Sequence, residues 1–233
     1  LLFEDELAVK TAHDILVVLH GVLKHTAAQL PGIFPAVEIN YPKESRRETR
    51  VLSRDEQTQL VRYSLTDTDA CKFGVLLILL SGVRIGELCA LKWGNIDLKE
   101  QTISIIATLQ RLRDTVMESE SRTRVVIGAP KSDTSVRTIP LTDYAATLCR
   151  QFAVRNAAAY ILTGTENYME PRSLQYRIEK YTKECWLEGV HAHTLWHTFA
   201  TRAVEVGFEI KSLSEVLGHA NMTFCISADI TIR

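Results

Sequence analysis

One part of the chain, residues 101–140, is rich in β-branched residues, and helical patterns flank it on both sides. Its runs Thr102–Ile106, Arg124–Ile127 and Val136–Ile139 have the composition of strands. We therefore predict an α+β fold that is mainly helical, with one small three-stranded antiparallel sheet. The last two runs flank Ala129–Asp133, which predicts a hairpin turn that carries Lys131.

Helical periodicity dominates the rest of the chain after residue 50. Ser53 and Glu56 form a capping-box pattern, in which each side chain accepts from the other residue's backbone N–H, so a helix should begin at Ser53. A Leu-rich helix should run from Asp69 to Ser81, followed by a short helix that carries Arg84. Further helices are expected over 143–156, 173–187, 194–206 and 210–217.

The first 50 residues differ from the rest of the chain, because a single helical pattern is followed by a segment without periodicity. Apolar residues at Ile15, Leu19 and Val22 recur on one helix face within 7–30, and Pro31-Gly32 ends that helix. The following segment is rich in proline and charge and lacks periodicity, which is typical of a linker. We predict a helical first domain over 1–40, a linker over 41–52 and a second domain over 53–233.

Composition excludes several classes of protein. Hydrophobic residues make up 46% and charged residues 24%, as in ordinary globular domains rather than disordered chains. The longest apolar run, Val75–Leu80, is far shorter than the roughly 20 residues that cross a bilayer. With no leader pattern in residues 1–30, we expect a cytoplasmic protein with no membrane partner.

The five cysteines are spread singly, so neither a disulfide framework nor a zinc site is expected, and buried thiols are the simpler interpretation. The 27 Lys and Arg residues are balanced by 28 Asp and Glu residues. This gives no basic surplus of the kind that marks many nucleic-acid-binding domains. Any hypothesis of DNA binding must therefore rest on local motifs.

Four motifs occur in order along the second domain. They are Ser81-Gly82-Val83-Arg84-Ile85-Gly86-Glu87-Leu88, then Pro130-Lys131 with Val136-Arg137-Thr138-Ile139-Pro140-Leu141, then His193-Thr194-Leu195-Trp196-His197-Thr198, and finally Leu217-Gly218-His219. Together they resemble the ordered boxes of the tyrosine recombinase, or phage integrase, family. The resemblance covers about residues 50–220. Within the family, the motif sequences are most similar to those of integrases from temperate phages and conjugative transposons.

The resemblance implies site-specific integration and excision of double-stranded DNA through a covalent phosphotyrosine, with no metal or nucleotide cofactor. It also implies that residues 1–40 are the last part of a helical core-binding domain, and that the protein forms homo-oligomers on DNA. The chemistry suits the residue types, because arginine forks and a histidine donor stabilise the charge that develops on a phosphate under attack.

By resemblance, Arg84 is the first arginine fork, that is, a guanidinium group that binds the phosphate through two N–H donors. Glu87, one turn later, is expected to orient it. Lys131 matches the acid that protonates the departing 5′ oxygen, and His193 and His219 match the histidines that contact the phosphate. His197 is expected to be a structural partner. The simpler alternatives are a surface ion pair for Arg84 and Glu87, and a solvated turn lysine for Lys131.

Two central positions depart from the family pattern. Trp196 occupies the position of the family's second arginine and offers one neutral N–H donor. Asp229 occupies the register of the nucleophilic tyrosine, within one or two residues, and no tyrosine follows Tyr181. Loss of one such preorganised donor slows a reaction by at least about a hundredfold, and an aspartate forms no phosphotyrosine. We predict that cleavage is impaired.

An alternative function is that of a non-cleaving DNA-binding protein with a recombinase fold, and a weaker one is that of a protein-interacting helical domain. DNA contacts are expected from two groups of basic residues, although acidic residues alternate with them and a solvated mixed-charge surface stays open. These residues are Lys43, Arg46, Arg47 and Arg50, and Arg111, Arg113, Arg122 and Arg124.

Overall fold

The computed structural model describes residues 7–30, 38–42, 49–114, 123–129 and 136–218. The chain divides into two compact units, Leu1–Arg47 and Glu48–Arg233. In the first unit, helix α1 spans Val9–Gln29, close to the predicted 7–30. The His20 Nδ1 atom lies 2.6 Å from the Tyr41 hydroxyl, so the segment after α1 returns to its surface.

In the second unit, the predicted helices and strands occur in the predicted order, and a 3-10 turn and two unpredicted strands are added. The bounds are α2 Arg54–Ser64, α3 Ala70–Ser81, α4 Ile85–Ala90, a 3-10 turn Trp93–Asn95, β1 Ile96–Asp97, β2 Thr102–Ile105, β3 Thr108–Arg113, β4 Thr123–Gly128, β5 Arg137–Pro140, α5 Asp143–Phe152, α6 Pro171–Glu184, α7 Ala192–Glu205 and α8 Ile210–Leu217. The mainly helical α+β fold is confirmed. The capping box at Ser53 and Glu56 is present as predicted.

Helix α3 forms the centre of the hydrophobic core. Residues 71–79 are all buried, because this helix is apolar on every side except at Lys72, which pairs with Asp67, and it must be surrounded by other elements. It packs against α7, α6 and α5. The Asp69 carboxylate caps its N-terminus by accepting from Cys71 N at 2.7 Å, and it ends at Gly82. The end of α3 therefore fixes where Arg84 begins α4.

The sheet differs in detail from the prediction. The expected hairpin between the runs 124–127 and 136–139 is wrong: β4 pairs with β3, whereas β5 pairs with β2 in a three-stranded antiparallel sheet of order β1-β2-β5. The missed strand β3 consists of Thr-Leu-Gln-Arg-Leu-Arg, in which long straight-chain residues hide the strand pattern. Lys131 lies outside the described residues.

Helix α7 is tied to the start of the second unit. The Leu52 N–H donates to Thr198 Oγ1 at 3.0 Å, and Arg202 Nη2 donates to the Leu52 carbonyl at 2.7 Å. Both backbone groups of Leu52 are therefore used by one helix. These bonds hold α7 in a fixed register, which matters because α7 carries His193, Trp196 and His197.

Four of the cysteines, Cys71, Cys89, Cys149 and Cys185, are buried free thiols, as predicted. Burial raises the pKa of Cys71 to about 11 and that of Cys89 to about 12, so these thiols stay protonated and inert. Cys225 lies outside the described residues. Among the helices that the structure describes, none is both long and apolar enough to span a bilayer.

Candidate active site

Arg84 stands at the N-terminus of α4, where Glu87 holds it. The Arg84 backbone N–H donates to Glu87 Oε2 at 2.9 Å, and Arg84 Nη1 donates to Oε1 at 3.1 Å. Glu87 is only 3% exposed, whereas the Arg84 side chain is about one third exposed. The simpler interpretation, a surface ion pair, is therefore excluded for the carboxylate, while the guanidinium still reaches solvent.

A second arginine, Arg137, binds the same carboxylate and was not predicted as a site residue. Its Nη1 and Nη2 atoms donate to Glu87 Oε1 and Oε2 at 2.8 and 2.9 Å, and its Nε donates to the Val216 carbonyl at 2.5 Å. The signal was present in the sequence. Strand alternation places Arg137 on the same face as buried Ile139, and a buried cation needs a carboxylate. We call Arg84, Glu87 and Arg137 the arginine cluster.

Three rings on α7 form the other side of the site. The His193 ring stacks on Trp196, with centroids 5.5 Å apart and an interplanar angle of 6°. The His193 and His197 Nε2 atoms lie 2.8 Å apart. Trp196 and His197 are buried, whereas His193 is exposed. We call His193, Trp196 and His197 the aromatic cluster. The structural role predicted for His197 stays a prediction.

The two clusters meet at Arg84. The guanidinium carbon of Arg84 lies 5.8 Å from the centroid of the Trp196 ring, within cation–π range. Arg84 Nη2 also donates to the Gly218 carbonyl at 3.3 Å. Gly218 ends α8 with φ +65°, directly before His219. The fold thus brings together Arg84, His193 and the C-terminal end of α8, which directly precedes His219 in the sequence.

The electrostatics of the site are set by burial and by the arginines. Burial alone would raise the pKa of Glu87, but hydrogen bonds and charge from Arg137, followed by Arg84, bring it below its usual value. Desolvation lowers the pKa of His193, and the positive charge of Arg84 lowers it further. At neutral pH the site therefore holds two guanidinium groups, one carboxylate and a neutral His193 ring.

Several predicted site residues lie outside the described residues, and two predicted DNA-contacting arginines pair with carboxylates instead. Lys131, His219 and Asp229 lie outside the described residues, as do Lys43, Arg46, Arg47 and Arg122. Of the predicted DNA-contacting residues in the described part, Arg111 forms a two-pronged ion pair with Glu170, with the shorter contact at 2.6 Å. Arg50 donates to Glu56 at 2.8 Å. Both guanidinium groups are thus partly occupied by carboxylates.

This arrangement is suited to binding an anion. The cluster carries a net charge of about +1, because Glu87 neutralises only one of the two arginines. Arg84 uses two of its five N–H donors within the described part of the chain, which leaves further donors for a ligand. His193 adds an exposed ring beside it. Among the described residues there is no group of three side chains placed to hold a metal ion.

Comparisons with known proteins identify the family of the chain. The sequence model of the phage integrase family matches residues 50–226, which is most of the chain. Tyrosine recombinase XerC of Xylella fastidiosa is 28% identical over 201 residues, covering 82% of this chain and 60% of that protein. XerC of Proteus mirabilis is 24% identical over 195 residues, covering 82% of this chain and 58% of the relative. The chain thus spans about three fifths of the length of these curated relatives.

Solved structures share the fold. The integrase of transposon Tn1549, in complex with transposon right-end DNA, superposes with a TM-score of 0.77 at 18% identity, covering 97% of this chain and 77% of that one. A lambda integrase dimer bound to a core site gives a TM-score of 0.65 at 15% identity, covering 99% and 77%. At these identities the likeness concerns the fold.

Proposed function

Because the chain belongs to the phage integrase family, we propose that it acts in site-specific recombination of double-stranded DNA, with impaired cleavage in the chain as written. The observation that carries the proposal is the meeting of Arg84, His193 and the end of α8 at one exposed point. The DNA that the Tn1549 integrase binds in its solved complex supports DNA as the partner.

Arg84 would hold the scissile phosphate. Its guanidinium is anchored by Glu87 through a charge-assisted hydrogen bond, so its free donors are oriented before DNA arrives. Such preorganised donors stabilise the charge that develops on the non-bridging oxygens at little reorganisation cost. This step needs only the side chains of this chain.

His193 would donate the next hydrogen bond to the phosphate. Its Nε2 atom already faces His197 Nε2 at 2.8 Å, so only Nδ1 is left for a ligand. A neutral His193 that donates from Nδ1 must then accept at Nε2 from the N–H of His197. His197 would thereby set the tautomer of His193, which is more than packing.

Two further roles rest on the family resemblance alone. Lys131 would protonate the departing 5′ oxygen, and His219 would add a donor to the phosphate. His219 follows Gly218, whose carbonyl is bound by Arg84, which supports its nearness to the phosphate.

Two residues that the family uses for cleavage, the second arginine and the tyrosine, are replaced in this chain. Trp196 is 5% exposed and stacks on His193, and it supplies no second fork. Asp229 stands where the family has its tyrosine, and it would repel the phosphate rather than attack it. Tyr181, the last tyrosine, donates to Asp69 Oδ2 at 2.6 Å, and burial raises its pKa. It is therefore no substitute nucleophile.

The proposed domain roles follow from the same family. Residues 1–40 would be the end of a helical core-binding domain, 41–52 a linker and 53–233 the integrase catalytic-type domain. The division of the chain into Leu1–Arg47 and Glu48–Arg233 supports this boundary. We further propose assembly as a homo-oligomer on DNA in the cytoplasm.

A nicked-duplex assay tests the proposal. The protein is incubated with a duplex that carries a nick beside the scissile position of a related element's core site. We expect no covalent product on a denaturing gel and a salt-dependent shift on a native gel, since phosphate contacts release counterions. A covalent band would refute impaired cleavage, and absence of binding at low salt would refute the role in recombination.

A second candidate function is favoured by the two departures from the family pattern. A protein with Arg84 and His193 in place, but with Trp196 and Asp229 at the other positions, would occupy sites on DNA without cutting them. It would then block an active relative. Adding it to a recombination reaction of such a relative should lower the yield in proportion to site occupancy.

A further inference from the structure

Arg137 is buried beside the candidate site and has no place in the proposed chemistry. Its side chain is 6% exposed, and its three nitrogen positions all donate within the fold, two to Glu87 and one to the Val216 carbonyl. A guanidinium used in this way cannot reach a phosphate on DNA. Any effect on the ligand must therefore act through its neighbours.

The first neighbour is Glu87, which Arg137 neutralises. Glu87 Oε1 accepts from Arg84 at 3.1 Å and from Arg137 at 2.8 Å. Without Arg137, the buried carboxylate would cancel the charge of Arg84, and the cluster would be neutral overall. With Arg137, one positive charge is left, and it stands on the exposed member, Arg84.

The second neighbour is the end of α8. Arg137 Nε binds the carbonyl of Val216 at 2.5 Å, and Arg84 Nη2 binds that of Gly218 at 3.3 Å. Carbonyls at a helix C-terminus carry partial negative charge and attract cations. A Cβ atom on Gly218 would lie 2.9 Å from Arg137 Nη1, so the two residues are in close contact.

We propose that Arg137 is a positioning residue: by pairing with Glu87 it leaves the positive charge of Arg84 uncompensated, and it keeps that guanidinium oriented and available to a phosphate. This inference rests on the proposed function, because it takes the ligand of Arg84 to be a phosphate. It assigns to strand β5 a role in anion binding without a contact to the anion.

The test follows Arg84 directly. In protein labelled with ¹⁵N-arginine, the Arg84 Nε–H signal is assigned by its loss in Arg84→Lys, and inorganic phosphate is titrated in. We expect Arg137→Met to weaken phosphate binding at Arg84 about tenfold, because the cluster loses the one positive charge that Glu87 does not neutralise. Arg137→Lys keeps the charge but not the two-pronged geometry, and should lose less than about threefold.

Arg150→Met is the matched control. Arg150 also donates to a backbone carbonyl, that of Leu98 at 3.1 Å, and it lies in the same unit on α5, which carries none of the site residues. It should leave phosphate binding unchanged. Unchanged binding in a folded Arg137→Met, or equal weakening in Arg150→Met, would overturn the inference.

Two outcomes separate this inference from the proposed function. If the Arg84 signal of the unaltered protein ignores phosphate, the anion site itself is wrong and both fail. If it responds equally in the unaltered protein and in Arg137→Met, the site stands and the role of Arg137 fails. Should Arg137→Met not fold, Arg137→Gln takes its place in the same titration, and unchanged phosphate binding in that folded variant would refute the role.

Discussion

The arginine cluster and the aromatic cluster meet where Arg84 contacts Trp196, and different interactions hold each of them together. The first buries a carboxylate between two guanidinium groups, with each carboxylate oxygen accepting two hydrogen bonds. The second places three aromatic rings on one helix, with His193 stacked on Trp196 and edge-on to His197. One side of the site therefore offers oriented positive charge, whereas the other offers shape and a single neutral donor from His193.

The difference teaches which part of the site the fold itself requires. The arginine cluster joins α4, β5 and the end of α8, so its loss would affect stability as well as chemistry. The aromatic cluster lies within α7, and exchange of its central residue leaves the three elements joined. A chain can therefore lose the second fork and keep the fold.

The largest effect is expected for Glu87→Ala. Removal of this carboxylate leaves Arg137 charged and buried, which costs about 3–5 kcal/mol in the free energy of unfolding. Urea denaturation measures it. The control is Glu205→Ala, since Glu205 also binds two arginines, Arg54 and Arg202, but is 34% exposed, and it should cost less than about 1 kcal/mol. Equal losses would show that the cluster is no more than a surface network.

The second largest effect is expected when Trp196 is replaced by arginine. In an Asp229→Tyr background, Trp196→Arg should raise the rate of covalent product on nicked DNA at least about a hundredfold, since it restores a preorganised donor. Trp186→Arg in the same background is the control, because Trp186 is 89% exposed and should change nothing. Covalent product formed equally fast with Trp196 retained would mean that the second fork is dispensable.

A smaller effect is expected at the contact between Gly218 and Arg137. Gly218→Ala places a Cβ atom 2.9 Å from Arg137 Nη1 at φ +65°, whereas Gly207→Ala meets nothing within 4 Å at φ +85°. Both should lose about 1 kcal/mol from backbone strain, and Gly218→Ala about 1–2 kcal/mol more. Thermal and urea unfolding compare them. If the two variants unfold alike, the arginine cluster adapts freely.

The smallest effect concerns pH. Because the pKa of His193 is lowered in the folded state, the unfolded chain binds the proton first, and stability falls as pH drops below about 6.5. The slope stays well under the limit of about 1.4 kcal/mol per pH unit for one proton, since the ring is exposed. In His193→Gln this component of the slope should vanish, while above pH 7.5 the two proteins should differ by a constant.

The sequence was sufficient for elements that carry strong local signals. Helix α8 has its predicted bounds, and α3 ends at Gly82 as expected. The strand pairing was not predictable, because β3 has only one β-branched residue, Thr108, and its partner lies beyond an intervening segment. Register across such a gap depends on packing, which local composition does not encode.

The candidate site divides in the same way. The motifs pointed to Arg84 and His193 through residue type and order, whereas Arg137 was passed over. Its importance comes from a bond to Glu87, fifty positions away in the chain. In the sequence, Arg137 is only one charged residue within a predicted strand. The fold is needed to show that it is buried and that its partner is the Glu87 carboxylate.

The bonds between Leu52 and α7 also decide where the second unit can be cut for work on it alone. A fragment begun at Ser53 would lack the N–H that reaches Thr198 and the carbonyl that Arg202 binds. The helix that bears His193 would then lose two of its tethers before any DNA is added. A recombinant fragment is better started at Arg50 or earlier, where the pairing of Arg50 with Glu56 is kept as well.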